Sequence, residues 1–502
     1  MSYETVHGYC WPSSIDPGDD VGLHLSSAGG RPVSIEVVRV GAERELVWSD
    51  TAPAADHAVP IGASVAGCNW PTATTIGVGA DWVSGYYEVV LRIEVEGRTR
   101  QSHAFFVVRP QADSDRTILL ALSTNTWHAY NDFGGPNLYT GATTVSLQRP
   151  MARGYLHKPP GAGRRVTTTH PPDPDMNTHV GYLRRHRLSP YAGSAGWPDW
   201  EQPFLAWAEQ HGYEIDVCVN ADLEDHPQIL DRYQLFLSVG HDEYWSGQMR
   251  DTVEAHIAAG GHAAFLSGNT AFWQVRLEDH SAHGPATSMV GYKGRFKQDP
   301  VFGTDRVGEL TSIWSDHLIG RPENQMTGVS FSLGGYHRIG KRVTRGAGGY
   351  TIHRPDHWLF AGTDLGYGDV LGADATIVGY ECDGCDFTYR NGLPYPTGAD
   401  GTPQNFEILG TAPAAHFTRE TAARPPAPDE PSEIEFIASR LFDARPVDTE
   451  RIAAGHAVLG TYTSAGGGVV VTTGCTDWAH GLADRDPDVE QITANILALA
   501  DQ

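Results

Sequence analysis

The chain opens on short apolar runs of alternating character, VSIEVVRV at 33–40, YYEVVLRIEV at 86–95 and HAFFVVRP ending at Pro110, each bounded by Gly, Pro, Asp or Ser clusters. That period-two pattern predicts strands, and their spacing predicts an all-β sandwich over residues 1–112. From Arg116 onward strands alternate with amphipathic helices. TILLAL ends in Ser123, Thr124 and Asn125, a helix is expected over 203–211, and a strand follows over 213–219. Near the C-terminus GVVVTTG reads as a strand, and Val489, Ile492, Ile496 and Leu499 share one helical face. Such alternation predicts an α/β catalytic domain over 113–502, a doubly wound and mostly parallel sheet.

Residues 235–273 carry the clearest unit. A short apolar run at 235–239 leads directly into His241, Asp242, Glu243, Tyr244 and Trp245. Ser246 suits the N-cap of a helix whose apolar positions Met249, Val253 and Ile257 recur every four residues, and Gly260 with Gly261 suits its end. A second apolar run at 263–266 leads into Ser267, Gly268 and Asn269. Strand, helix and strand of these lengths form a crossover between parallel strands, which brings both polar clusters to one sheet edge. Two stretches break the pattern. Residues 145–200 are rich in Pro, Gly, Arg and His and read as a long excursion over that edge, and 275–435 read as an elaborated insertion without internal repeat.

Composition narrows the partners. At 502 residues and a formal net charge of −25, the chain lacks the basic face that nucleic acid or an anionic membrane surface requires. Its six cysteines are scattered, as suits a reducing cytoplasm, and the CxxC at Cys382 and Cys385 lacks the second pair of a zinc knuckle. No apolar run reaches the ~18 residues of a membrane span, and the start MSYETVHGYC has no signal pattern. A cytoplasmic protein acting on a small molecule is expected, with a homo-oligomer left open.

Four polar clusters fall after strand ends or in the insertion: Tyr130 and Asn131 with Tyr139, His241 with Glu243, Asn269, and Tyr380 with Glu381. Each alone is as readily a hydrogen-bonding partner as a catalyst. Their joint position at one edge favours chemistry. There is no Gly-x-Ser-x-Gly elbow, no cysteine at a sharp strand-to-helix turn and no His-Glu-x-x-His, so water or metal chemistry gains over covalent catalysis. Carboxylate and phenolate oxygens suit a hard metal better than zinc with thiolates.

The ordered motifs NTWHAYNDFGGPNLY, VGHDEYW, SGNTAFWQVR, GYK at 291–293, GYECDG and GCTDWAHGL resemble the large subunit family of N,N-dimethylformamidase. The resemblance spans most of 116–502, and the preceding strands ending in FVVRP are similar to the β-domain before that family's catalytic domain. It implies a glutamine amidotransferase-like α/β catalytic domain and a mononuclear ferric iron held by two tyrosines and a glutamate, hydrolysing a small amide. Glu243 matches the glutamate and Tyr130 the first tyrosine. Tyr139 is assigned as the second, with Tyr155 and Tyr182 as alternatives in the excursion. His241, Asn269, Lys293 and Glu381 match polar residues around the iron. The shorter chain and the basic stretch 158–187 point to a different pocket, and no segment corresponds to the family's small partner subunit. Two competing readings are a carbohydrate-binding or carbohydrate-active protein, resting on the sandwich and on Trp197, Trp200, Trp245 and Trp273, and an amidotransferase-like scaffold without activity.

Overall fold

Alternation along the strand Gly85–Val95 sends Tyr87, Val89, Leu91 and Ile93 to one side, where they join a buried apolar cluster with Leu23, Leu25, Ile35, Val37, Ile76 and Phe106. The cluster lies between two sheets. One has the order Val6–Trp11, Asp20–Ser27, Thr72–Gly77, and the other runs Ser14–Ile15, Arg98–Val108, Gly85–Val95, Val33–Val40, Arg44–Ala52. Burying each of these side chains contributes roughly 1.5–3 kcal/mol, which makes the apolar face the principal support of the sandwich.

The computed structural model describes residues 5–159, 164, 177–280, 284–339, 343–344, 346–422, 426–427, 430–443 and 447–501. Much of the basic excursion at 158–187 falls outside these residues. The chain divides into two compact units, Met1–Ala162 with Gly181–Pro227 and Leu277–Val290, and Gly163–Val180 with Gln228–Arg276 and Gly291–Gln502. The first unit holds the sandwich. It also contains a parallel pair, Ile118–Leu122 beside Ile215–Val219, and the helices Thr124–Tyr130 and Glu201–Gln210.

In the second unit, Leu235–His241 pairs in parallel with His262–Gly268, which pairs in parallel with Val469–Thr472. Every residue of the first two strands is buried, as expected of strands covered on both faces. The helix Gly247–Ala258 connects them; the Ser246 hydroxyl accepts from the Met249 N–H at 3.2 Å, and Met249, Val253 and Ile257 face inward. The C-terminal helix Pro487–Leu497 is capped by Asp486 and buries Val489, Ile492 and Ile496.

The doubly wound, mostly parallel α/β fold is overturned. The molecule is mostly β-strand in several sheets, with helix a minor part. Beyond Val469–Thr472 the sheet of the second unit continues through Gly455–Thr463, Glu407–Ala414, Tyr350–Ile352 and Val370–Leu371, every one of these pairings antiparallel. Parallel strands need crossover connections, usually helical, whereas antiparallel neighbours need only short returns. The strands supplied by the 275–435 insertion follow the second route, so a local strand–helix–strand pattern does not extend into a doubly wound sheet. Among the described residues no helix is long and apolar enough to cross a membrane.

Candidate functional site

The polar corner of the second unit starts where its parallel strands end. His241 is the last residue of Leu235–His241, and Glu243 follows two residues later. Backbone N–H groups of Ala271 and Trp273 donate to the carbonyls of Asp242 and Glu243, at 2.9 Å each, which ties the two strand ends together. Asp242 is fixed from below, accepting from the Ser238 hydroxyl at 2.8 Å.

Gly268, at the end of the second strand, lets a third segment approach. A β-carbon there would lie 2.5 Å from the Thr476 nitrogen and 2.6 Å from the Glu381 carbonyl oxygen. The strand Glu381–Gly384 therefore crosses close to the sheet edge and delivers its first side chain to the corner. Glu381 Oε2 lies 2.6 Å from His241 Nε2 and accepts from Asn269 Nδ2 at 2.9 Å. His241 Nε2 is also 3.4 Å from Glu243 Oε2, and Glu243 Oε1 accepts from the Trp273 indole at 2.7 Å. His241, Glu243, Asn269 and Glu381 are all at most 2% exposed. This dryness strengthens each polar interaction among them.

Asn269 has a left-handed backbone, φ 52°, and so do Ala271 and Lys293 at φ 52° and 55°. Left-handed non-glycine residues require support from their surroundings. Asp383 provides it for Asn269, accepting from the N–H groups of Asn269 at 2.7 Å and Thr270 at 3.1 Å. Asp383 was not singled out in the sequence, although the signal existed: two residues after Glu381 on a strand, it shares that residue's face. Tyr244 belongs to the polar run that follows the first strand in the sequence. Its hydroxyl accepts from Lys293 Nζ at 2.7 Å, and the Lys293 ammonium lies 4.7 Å from the Trp273 ring centre.

Burial and pairing oppose each other in the titrating groups. Burial pushes Lys293 down to about 7, against the pull of Glu243 and Glu381. Burial raises Asp383 to about 7, against the two backbone N–H groups it accepts. For Glu381 burial also acts upward, but the neighbouring His241, together with bonds from His241, Asn269 and the Tyr380 side chain, holds it below the usual carboxylate range. The corner thus holds an ionised carboxylate against an imidazole, beside a lysine able to lose its proton near neutrality. Such an arrangement can accept, pass and return a proton.

Tyr130 and Tyr139 belong to the first unit. Tyr130 ends the helix Thr124–Tyr130 and is 4% exposed; its ring stacks on Tyr139 at 4.3 Å, and Tyr139 is 42% exposed. Tyr155 is fully buried in the same unit, and Tyr182 donates to the Pro159 carbonyl at 3.2 Å. The tryptophans of the carbohydrate reading, Trp197, Trp200, Trp245 and Trp273, are all buried, and Trp197 stacks on Tyr86 at 4.1 Å. Their faces are taken up by packing.

The sequence profile described as "N,N-dimethylformamidase beta subunit-like, C-terminal" matches residues 34–491. The N,N-dimethylformamidase beta subunits of Alcaligenes sp and Paracoccus aminophilus are each 24% identical over 474 residues, 86% of this chain and 54% of theirs. The chain therefore spans about half the length of the curated relatives it matches. Among solved structures, a beta-glucuronidase from Parabacteroides merdae shares 10% identity and a TM-score of 0.15 over 53% of this chain and 33% of its own. A family 123 glycoside hydrolase from Clostridium perfringens shares 6% and 0.12 over 53% of this chain and 73% of its own. At such TM-scores the likeness carries no structural argument.

Proposed function

As a member of the N,N-dimethylformamidase beta subunit-like, C-terminal family, the chain carries at its strand edge a buried acid–base corner, and we propose that it hydrolyses the carbon–nitrogen bond of a small amide. The observation that carries this reading is the contact of His241 Nε2 with Glu381 Oε2 at 2.6 Å, with Asn269 on the same carboxylate and Glu243 beside the imidazole. Glu381 or His241 takes the proton from the attacking water and returns it to the leaving amine. The second N–H of Asn269 and the protonated Lys293 are the donors for the oxyanion that develops on the amide oxygen.

A metal fits this corner on charge. Two buried carboxylates, Glu243 and Glu381, face one lysine whose charged form burial disfavours, and buried anions without compensation are costly. Asn269 Oδ1 is also buried without a hydrogen bond. Following the family resemblance, Glu243, a hard oxygen donor, is the ligand that this corner would supply to a ferric ion. When bound, the ion supplies Lewis acidity that acidifies water and polarises the carbonyl. Trp273, by donating to Glu243 Oε1, would orient the carboxylate that holds the ion. The relatives are named as beta subunits, and assembly into an oligomer is part of the same proposal.

The test is metal analysis and a visible spectrum on chelator-free protein, alongside amine release from a panel of small formamides and acetamides. Stoichiometric iron, a phenolate-to-iron band and turnover are expected, with both iron and band lost in Glu243→Ala. A metal-free, colourless and inactive protein with an intact fold would defeat the reading.

A further inference from the structure

The sandwich carries a second group of ligands, unrelated to the corner described above. On Gly85–Val95 the alternation that buries Tyr87, Val89 and Leu91 in the sandwich turns Glu88 to the opposite face of the sheet. His103 pairs with Val90 on the adjacent strand and Glu88 with Phe105, so Glu88 and His103 are diagonal neighbours on that face. His157, from the loop after Met151, stacks its ring on His103 with centres 4.6 Å apart. Glu88 Oε1 lies 2.8 Å from His103 Nδ1 and 3.6 Å from His157 Nδ1.

We propose that Glu88, His103 and His157 form a binding site for a divalent transition-metal ion of the zinc class. Three observations support it. First, the donors are close enough to share an ion: donors at about 2.0–2.1 Å from a tetrahedral ion stand about 3.3 Å apart, Glu88 Oε1 stands 2.8 and 3.6 Å from the two histidine nitrogens, and all three donor atoms lie within 4.8 Å of one another. Second, Glu88 Oε1 and His103 Nδ1 are buried and close, yet no aligned hydrogen bond joins them to each other or to another group. Third, His103 and His157 line a cavity of about 190 Å³, with Gln101, Met151, Arg153 and Leu156, which gives an ion a way in and leaves room for water as a fourth ligand.

The surroundings supply outer-sphere support. Against the effect of burial, His103 and His157, and after them Arg44 on the other oxygen, hold Glu88 below the usual carboxylate range. Gln101 Nε2 lies 3.0 Å from His103 Nε2, while Gln101 Oε1 accepts from Arg92. Metal on Nδ1 puts the ring hydrogen on Nε2, so the Gln101 amide turns over to accept it; Arg92 then keeps Glu36, 2.7 Å away. The two imidazoles lie parallel, within 3°, and each must place its lone pair on the ion. Binding therefore requires the His157 ring, 43% exposed in its side chain, to turn out of the stack toward the ion. Two nitrogens and one carboxylate oxygen are a borderline donor set, which favours zinc, cobalt or nickel over calcium or magnesium. The bound ion would pin the 151–159 loop to the sandwich.

Titration of the chelator-stripped full chain with Co²⁺, read by its ligand-field absorption, tests the site. Saturable bands are expected in the unaltered protein and in Glu243→Ala, which removes a carboxylate of the other site. In His157→Ala and His103→Ala, with far-ultraviolet circular dichroism unchanged, the bands should vanish; in Gln101→Ala affinity should fall about 10–100-fold. Bands that persist in both histidine variants, or that disappear in Glu243→Ala alone, overturn the proposal. On the unaltered chain, Zn²⁺ should slow carbethoxylation of His103 and His157 relative to His7, and equal rates with and without Zn²⁺ count against it.

Discussion

Glu381 is the residue on which the proposed chemistry turns, because it meets both His241 and Asn269. Glu381→Gln keeps the shape but removes the base and its pairing with His241, so turnover should fall by about 10²–10⁴ and the melting temperature should fall with it, read by initial rates beside a thermal melt. Asp383 acts one step back, through the backbone of Asn269 and Thr270. Asp383→Ala leaves two buried N–H groups without an acceptor, at roughly 1–3 kcal/mol each, and should lower the melting temperature along with kcat. Asp383→Asn, which keeps an acceptor, should recover part of both. Lys293 gives a pH signature. Its folded value of about 7 lies below its usual 10.5, so between those values the unfolded chain binds more protons. Stability should therefore rise with pH from about 7 to 10 relative to Lys293→Met, measured by urea denaturation; parallel curves for the two proteins would contradict it.

At the level of elements, the site depends on how closely strands meet at the edge of the sheet. Gly268→Ala would press a methyl group against the backbone at Glu381 and Thr476, within 2.6 Å. A loss of about 1–3 kcal/mol is expected, with activity falling more than stability because Glu381 is displaced. The helix Gly247–Ala258 starts immediately after Tyr244–Ser246, so its cap also sets the path of the polar cluster. Ser246→Ala should cost about 1 kcal/mol in denaturant melts. The strand–helix–strand unit over 235–268 was legible because each element writes its burial into a local period: continuous apolar for the strands, every four residues for the helix. The pairing of that unit with Gly455–Thr463 and Glu407–Ala414 was not legible, since antiparallel neighbours carry no sequence mark of which strand they choose.

For the whole molecule, the described residues include several buried apolar clusters built from side chains alone. Removal of bound metal by a chelator should accordingly abolish turnover while leaving the far-ultraviolet circular dichroism spectrum intact; unfolding on chelation would show that a metal is structural for the entire chain. All six cysteines are buried and none forms a disulfide, so a reducing agent should not shift the melting temperature.

The sequence by itself determined the strands of the sandwich, the capped helix after Ser246 and the residue types gathered at the strand ends, because these follow from local periodicity and from what each side chain can do. It also marked His241, Glu243, Asn269 and Glu381 as candidates. Only the tertiary structure decided that Glu381, 112 residues beyond Asn269, is held against it, that Asp383 supports Asn269 from the same strand, and that Glu88 meets His103 and His157. It also decided the sheet, which is mixed where the local pattern pointed to a parallel, doubly wound one. The physical reason is the same in each case. Periodicity specifies which face of an element is buried, whereas the partner it is buried against depends on the course of the intervening chain and on the close approaches, such as that at Gly268, which the folded backbone permits.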